Sequence, residues 1–330
     1  MSTRERFKTA IKDAKNIVIT THIYPDADGI GAEIALCLAL RKLGKWAVAV
    51  NQKNLLDRYR YLDPENLVIS AKEFQKNHSK KEIDLLIVTD TNYIARIGPE
   101  TEKVVARARN VLFVDHHPCP KEIAAIHCID TSKAATSELV GEFIDMMGVE
   151  FTPQIALPLY TGILVDTSSF RYPTVTGNTH LMVAKLMNAG ITPSDSYNMI
   201  YGTKKADHIR LLGKILAQTK ANKSGSMAWI TVYEKDLKEY KVDPEDTHAF
   251  INHLLVLDNI KLACMFRELP QNQLKISLRS TVETIDAGAM AQALGGGGHN
   301  HSAAAILEGT PEVLIPLILE KLEKMLSERP

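Results

Sequence analysis

Residues 16–44 read NIVITTHIYPDADGIGAEIALCLALRKLG, and the succession of residue types in that stretch decides the fold. Asn16–Thr21 is a β-branched apolar run that suits a strand. HIYPDADG is a polar loop. GIGAEIALCLALRKLG is rich in Ala and Leu and stops at Gly44, as a helix with a glycine terminus does.

The same alternation extends outward from this unit. An amphipathic helix is expected over residues 4–15. Strands are expected at Trp46–Val50, Leu67–Ser70, Ile83–Thr89 and Val111–Val114, with a further short one at Ala125–Cys128. IDLLIVT (83–89) is almost wholly apolar, the mark of a strand covered on both faces. Helices over 134–148, 153–165 and 177–190 complete an α/β domain built on a mostly parallel sheet. Residues 1–191 are read as that domain, 192–224 as a helical linker and 225–330 as a smaller α/β domain. The smaller domain is expected to hold a strand at Met227–Tyr233, a helix at 244–256, paired strands at 260–267 and 273–279, a short helix at 286–293 and a strand at Ala303–Leu307. PEVLIPLILEKLEKML then closes the chain as an amphipathic helix.

The 330 residues are 45% hydrophobic and 24% charged, an ordinary globular balance. Thirty-nine Lys+Arg cancel thirty-nine Asp+Glu. A protein gripping long duplex nucleic acid is therefore not expected, whereas a small anionic ligand in a local positive site is allowed. Cys37, Cys119, Cys128 and Cys264 form neither a CxxC pair nor a zinc-like spacing. The opening MSTRERFKTAIKDAK lacks the apolar core of a secretory signal, and no apolar run reaches the roughly 18 residues of a membrane span. A cytoplasmic protein with reduced thiols and no membrane association is expected.

The acidic and imidazole side chains fall at regular places. His22, Asp26 and Asp28 follow the first strand, Asp90 follows IDLLIVT, Asp115, His116 and His117 follow VLFV, and Asp166 follows YTGILV. If these segments are strands, their C-terminal ends share one sheet edge, where ligands collect. Packed alone, these groups would repel or desolvate one another, and divalent ions remove that cost. The donors are oxygen and nitrogen without thiolate, which suits Mn²⁺. Two ions sharing a carboxylate would activate a water for attack on phosphorus. Taken singly, Asp26 and Asp28 read equally as helix caps, and Asp90 and Asp166 as caps of their own segments. A DHH triplet after a buried strand is harder to explain by packing.

HIYPDADGIG (22–31), DLLIVTDT (84–91), DHHP (115–118), GILVDTSSFRY (162–172), SLRS (277–280) and GGGGH (295–299) together resemble the DHH/DHHA1 phosphoesterases. The likeness is to the short cytoplasmic branch that includes nanoRNase and pAp-phosphatase enzymes. The pieces stand in family order over nearly the whole chain. The resemblance implies a catalytic DHH domain, a DHHA1 substrate-binding domain and a site in the cleft between them. It implies that His22 and Asp26 hold one manganese, that Asp28, His116 and Asp166 hold a second, and that Asp90 bridges both. Asp115 and His117 would support catalysis, with His117 near the scissile phosphate. Arg279 and His299 would contact substrate, and Gly296, Gly297 and Gly298 would let backbone N–H groups approach a phosphate. It also implies a homodimer.

Arg96, six residues after Asp90, is a further candidate for substrate phosphate, or else a surface ion pair. Arg171 is a weaker one. Tyr172, Phe170 and Phe250 offer aromatic planes for a base but read equally as core. DHHP continues with Cys119, an incidental thiol or an oxidation-sensitive one. The leading substrate class is short RNA of the pNpN type, including pGpG and pApA, hydrolysed to 5′-mononucleotides, with adenosine 3′,5′-bisphosphate as a second substrate. An inorganic pyrophosphatase or exopolyphosphatase, and a non-catalytic nucleotide sensor, are the alternatives.

Overall fold

The computed structural model describes residues 2–202, 205–280, 282, 284–298 and 300–327. The chain divides into two compact units, the first ending at Gly202. That division falls inside the stretch read as a linker.

The first unit runs α1 (Thr3–Lys12), β1 (Asn16–Thr20), α2 (Ala27–Lys42), β2 (Trp46–Asn51), β3 (Val68–Ser70), α3 (Ala71–Asn77), β4 (Leu85–Thr89), α4 (Pro99–Val105), β5 (Val111–Asp115), α5 (Lys121–Ile126), β6 (Cys128–Ile129), α6 (Thr136–Met146), α7 (Pro153–Asp166), α8 (Gly177–Asn188) and α9 (Pro193–Tyr201). Its six strands are all parallel, in the order β3-β2-β1-β4-β5-β6. β4 is buried along its whole length, as its apolar run predicts. Of the strand expected at Ala125–Cys128, Ala125 and Ile126 belong to the short helix α5, His127 caps it, and Cys128 begins a two-residue strand. Too few residues lie there for periodicity to separate the two.

Helix α2 is buried on nearly every side, because the sheet lies beneath it and α6 and α7 flank it. Small residues permit that approach. A Cβ on Gly31 would stand 2.2 Å from the Pro158 carbonyl oxygen, and one on Gly162 would stand 2.1 Å from Ser137 Oγ and 2.9 Å from Asp28 Oδ1. The glycines let three helices close around Asp28.

The second unit holds α10 (Ala206–Leu216), β7 (Lys220–Ala221), β8 (Met227–Val232), α11 (Glu234–Tyr240), β9 (Leu262–Leu269), β10 (Gln273–Ser280), α12 (Ala287–Gln292), β11 (Gly297–Gly298), β12 (Ser302–Glu308) and α13 (Pro311–Ser327). The sheet order is β11-β12-β10-β9-β8-β7, with β8 and β9 parallel and the other pairs antiparallel. Residues 244–256 are helical as expected but wound as a 3₁₀ helix. Helix α11 and the two-residue strands β7 and β11 were not foreseen.

Candidate metal centre

The strand order places the site. From β1 the chain moves to β2 and β3 on one side, while β4, β5 and β6 extend on the other. β1 and β4 therefore flank the switch point, where the following loops part and leave a crevice. His22, Asp26 and Asp28 follow β1, and Asp90 follows β4. Asp115 ends β5, with His116 and His117 directly after it. Asp166 reaches the site from a helix end rather than a strand end, since it is the last residue of α7, the helix expected over 153–165. The apolar run YTGILV suits a buried helix as well as a buried strand.

The structure brings the six expected ligands together. Ligand atoms of His22, Asp26 and Asp90 all lie within 4.8 Å of one another. So do those of Asp28, His116 and Asp166, and those of Asp90, His116 and His117. Asp90 joins the groups. Its Oδ2 is 3.3 Å from His22 Nε2, and its Oδ1 is 3.8 Å from His117 Nδ1 and 4.0 Å from His116 Nε2. His116 Nε2 lies 3.3 Å from Asp166 Oδ2.

Local structure holds each side chain. Asp90 has φ of 60°, a left-handed conformation that Asp tolerates better than most residues and that gathers at functional sites. Gly29 makes room for it, because a Cβ there would stand 2.2 Å from Thr21 Oγ1 and 3.3 Å from Asp90 Oδ2. Asp26 does cap α2, accepting from the backbone N–H groups of Asp28 at 3.0 Å and Gly29 at 3.3 Å. That cap fixes the carboxylate that faces His22, so the capping and ligand readings are compatible. Asp28 is buried in the first turn of α2, and its two oxygens accept from Thr136 N at 2.7 Å and Ser137 N at 2.8 Å. Thr136 Oγ1 donates to Asp90 Oδ1 at 3.1 Å.

The histidines are oriented in the same way. His116 Nδ1 is 3.2 Å from the Lys133 carbonyl, which assigns the proton to Nδ1 and turns Nε2 toward the carboxylates. Asp115 is fully buried, and its Oδ1 takes His117 Nδ1–H at 2.5 Å and the His116 backbone N–H at 2.8 Å. Asn92 Nδ2 donates to its other oxygen at 2.8 Å. Nothing in the residue order singles out Asn92, Thr136 or Ser137. The two hydroxyl residues mark a helix start, but not that its cap comes from Asp28.

Burial dominates the electrostatics. It raises the carboxyl of Asp90 far above its usual range, and the charges of Asp28, Asp26, Asp115 and Asp166 add to the effect. It likewise raises Asp28, and it pushes Asp166 to about 8 against the pull of His116. Burial opposes charge on His116 as well, but Asp166, Asp28 and Asp115 outweigh it and raise that imidazole. Burial lowers His22, and the Arg96 charge pushes the same way. Asp115 is held below its usual range despite burial, by its contacts with His117 and His116. Buried carboxylates crowded in this way fit a cation among them. The donor set is oxygen and nitrogen throughout, a match to hard or borderline divalent ions.

The outlying candidates separate. Arg96 is exposed in the 3₁₀ turn Ile94–Arg96, and among the described residues its guanidinium makes no ion pair. Its carbonyl accepts from Ile23 N at 2.6 Å and ties the loop after β4 to the loop after β1. Arg171 bonds Ser168 through Nε at 2.8 Å and a terminal nitrogen at 2.9 Å, straps a turn of three positive-φ residues and so has a structural role. Burial raises the Cys119 thiol, which stands against a reactive thiolate. Phe250 is core, and Phe170 packs on Tyr160 and His180.

In the second unit Arg279 is half-buried in β10 and donates to the Leu278 carbonyl at 3.0 Å. Gly297 and Gly298 pair with Ala304 and Ala303. A Cβ on Gly296 would stand 2.1 Å from the Ala304 carbonyl oxygen, so part of the glycine run serves close approach to β12. His299 lies outside the described residues.

Comparison with known proteins adds to this geometry. The family model "DHH family, N-terminal domain" matches residues 16–163, and that of the DHHA1 domain matches residues 214–328. The bifunctional oligoribonuclease and PAP phosphatase NrnA of Thermus thermophilus is 30% identical over 300 residues, covering 89% of this chain and 84% of that one. The protein of the same description in Bacillus subtilis is 24% identical over 319 residues, covering 94% and 95%. The crystal structure of an exopolyphosphatase-related protein from Bacteroides fragilis superposes with a TM-score of 0.88 at 27% identity, covering 98% of this chain and 96% of that one. Among the described residues no helix is long and apolar enough to cross a membrane.

Proposed function

The chain belongs to the DHH family and carries a DHHA1 domain, and on that footing we propose that it is a divalent-metal-dependent phosphoesterase that hydrolyses di- and short oligoribonucleotides to 5′-mononucleotides. The observation that carries the reading is Asp90, whose two oxygens face different imidazoles within one buried cluster. His22 and Asp26 would hold one ion, Asp28, His116 and Asp166 a second, and Asp90 both. The four carboxylates Asp26, Asp28, Asp90 and Asp166 balance the charge of two divalent ions when the histidines are neutral. Manganese is the proposed metal, since it accepts both carboxylate and imidazole.

When bound, such ions supply Lewis-acid activation of a water and neutralise charge on the phosphoryl oxygens. The rest of the chemistry belongs to the chain. Hydrolysis adds the hydroxyl of water to phosphorus, breaks one P–O bond and sends a proton to the departing oxygen. His117, fixed at Nδ1 by Asp115, is placed to steady the phosphoryl oxygens or deliver that proton. Asp115 acts through His117 and is a positioning residue. Arg96, whose guanidinium is exposed beside His22, supplies positive charge for a substrate phosphate. In the second domain Arg279, Gly296, Gly297, Gly298 and His299 are proposed as substrate contacts. The names of the Thermus and Bacillus relatives support the substrate class and extend it to the 3′-phosphate of adenosine 3′,5′-bisphosphate. We place the protein in the cytoplasm, acting as a homodimer on short RNA rather than on long duplexes or membranes.

The test is a substrate panel of pApA, pGpG, longer RNA, adenosine 3′,5′-bisphosphate, pyrophosphate and polyphosphate, each with Mn²⁺, Mg²⁺ or chelator. Mononucleotide release from pNpN that depends on Mn²⁺ supports the reading. Phosphate release from pyrophosphate or polyphosphate alone would replace it with the exopolyphosphatase reading, which the Bacteroides structure's description favours.

A further inference from the structure

A nucleotide substrate brings an aromatic base as well as phosphates, and a base in water gains by stacking on an exposed ring. Phe250 and Phe170 are committed to packing, as described above. Two other tyrosines are not. Tyr24 is 81% exposed and lies between His22 and Asp26 in the loop after β1. Tyr93 is 61% exposed and lies three residues after Asp90 in the loop after β4. Among the described residues neither ring stacks on another aromatic or on a cation.

The backbone brings the two loops together. Ile23 N donates to the Arg96 carbonyl at 2.6 Å, and Arg96 N donates to the Tyr93 carbonyl at 3.0 Å. Tyr24 directly follows Ile23. The two rings thus stand on loops joined by a hydrogen bond, each within a few residues of a candidate ligand, with the exposed Arg96 three residues after Tyr93 and Ile94 also partly exposed. Large exposed rings cost solubility and gain nothing from the core, so their place beside a cluster of carboxylates and imidazoles calls for a ligand with both a flat apolar face and negative charge. A nucleotide has both.

We propose that Tyr93 and Tyr24 form the surface on which a base of the substrate stacks, with Arg96 holding an adjacent phosphate. This rests on the nucleotide reading above and deepens it. Stacking on a tyrosine face uses no hydrogen-bonding edge of the base, so it makes the enzyme tolerant of base identity and dependent on a base being present. It also explains how a neutral protein holds short RNA without a long basic track.

The experiment measures kcat and KM for pApA and for the same compound lacking one or both bases, with Mn²⁺, in the unchanged protein and in Tyr93→Ala, Tyr24→Ala, Tyr93→Phe and the double alanine variant. Loss of one stacking ring is expected to raise KM for pApA about tenfold with kcat little changed, from the usual strength of base–aromatic stacking. Tyr93→Phe is expected to restore the KM, and the alanine variants to behave as the unchanged protein does on the compound lacking both bases. Unchanged KM for pApA in the double variant overturns the stacking surface while leaving the nucleotide reading intact. So does an equal loss on the base-free compound, which would mark a structural role. An unchanged protein that cleaves pyrophosphate but no dinucleotide overturns both.

Discussion

Asp28 caps helix α6 from a different helix. Its carboxylate oxygens accept from Thr136 N at 2.7 Å and Ser137 N at 2.8 Å, and Ala135 at the start of that helix has no capping side chain of its own. The same carboxylate lies with His116 and Asp166. Asp28 therefore ties the shape of the first unit to its candidate metal centre. Asp28→Ala leaves two buried N–H donors without an acceptor, and loss of about 2 kcal/mol of stability is expected even with chelator present. Urea unfolding of the metal-free variant checks this. An unchanged midpoint would show that the cap contributes nothing.

Asn92 does for Asp115 what the sequence did not reveal. It holds the carboxylate oxygen that His117 and His116 leave open. Asn92→Leu removes that donor and lets Asp115 and the His117 ring turn. A 10–100-fold drop in activity or metal affinity is expected, the usual cost of losing such an outer partner. Steady-state kinetics with a Mn²⁺ titration measures both, and wild-type values for the two would refute the assignment.

Metal removal and pH act together. Burial holds the Asp166 carboxyl at about 8 in the folded protein, and it raises Asp90 and Asp28 as well. Unfolded, these groups titrate near pH 4. Between roughly pH 4 and pH 8 the metal-free fold binds protons that the unfolded chain has released, so its stability falls as pH rises through that window. Divalent ions held by these carboxylates would replace those protons and remove the loss. Denaturant midpoints in chelator are expected to fall from pH 5 to pH 8, and those in Mn²⁺ to hold or rise. A metal-free protein more stable at pH 8 than at pH 5 would contradict the burial of these carboxyls.

Much of this arrangement is legible in the residue order, for physical reasons. Apolar runs such as LLIVT leave little choice but a strand covered on both faces, and a loop rich in Asp and His after each run marks one sheet edge. Asp166 shows where that logic stops, since it ends the helix expected over 153–165, and the sheet-edge rule for strand ends does not place a helix end. Asn92, Thr136 and Ser137 were hidden because ordinary polar residues gain their role only from what the fold sets opposite them. The glycine run was half legible. The resemblance reads Gly296, Gly297 and Gly298 as phosphate contacts, and the structure adds the close approach of Gly296 to Ala304. Tyr24 and Tyr93 look like any loop tyrosine until their exposure and shared hydrogen-bonded framework are seen.

The central claim is that His22, Asp26, Asp28, Asp90, His116 and Asp166 hold two divalent cations. Anomalous diffraction at the manganese edge, from crystals of the full chain grown with Mn²⁺, tests it most directly. Two peaks are expected, one among His22, Asp26 and Asp90 and the other among Asp28, His116 and Asp166. A cluster with no peak, or peaks held by other side chains, would contradict the account.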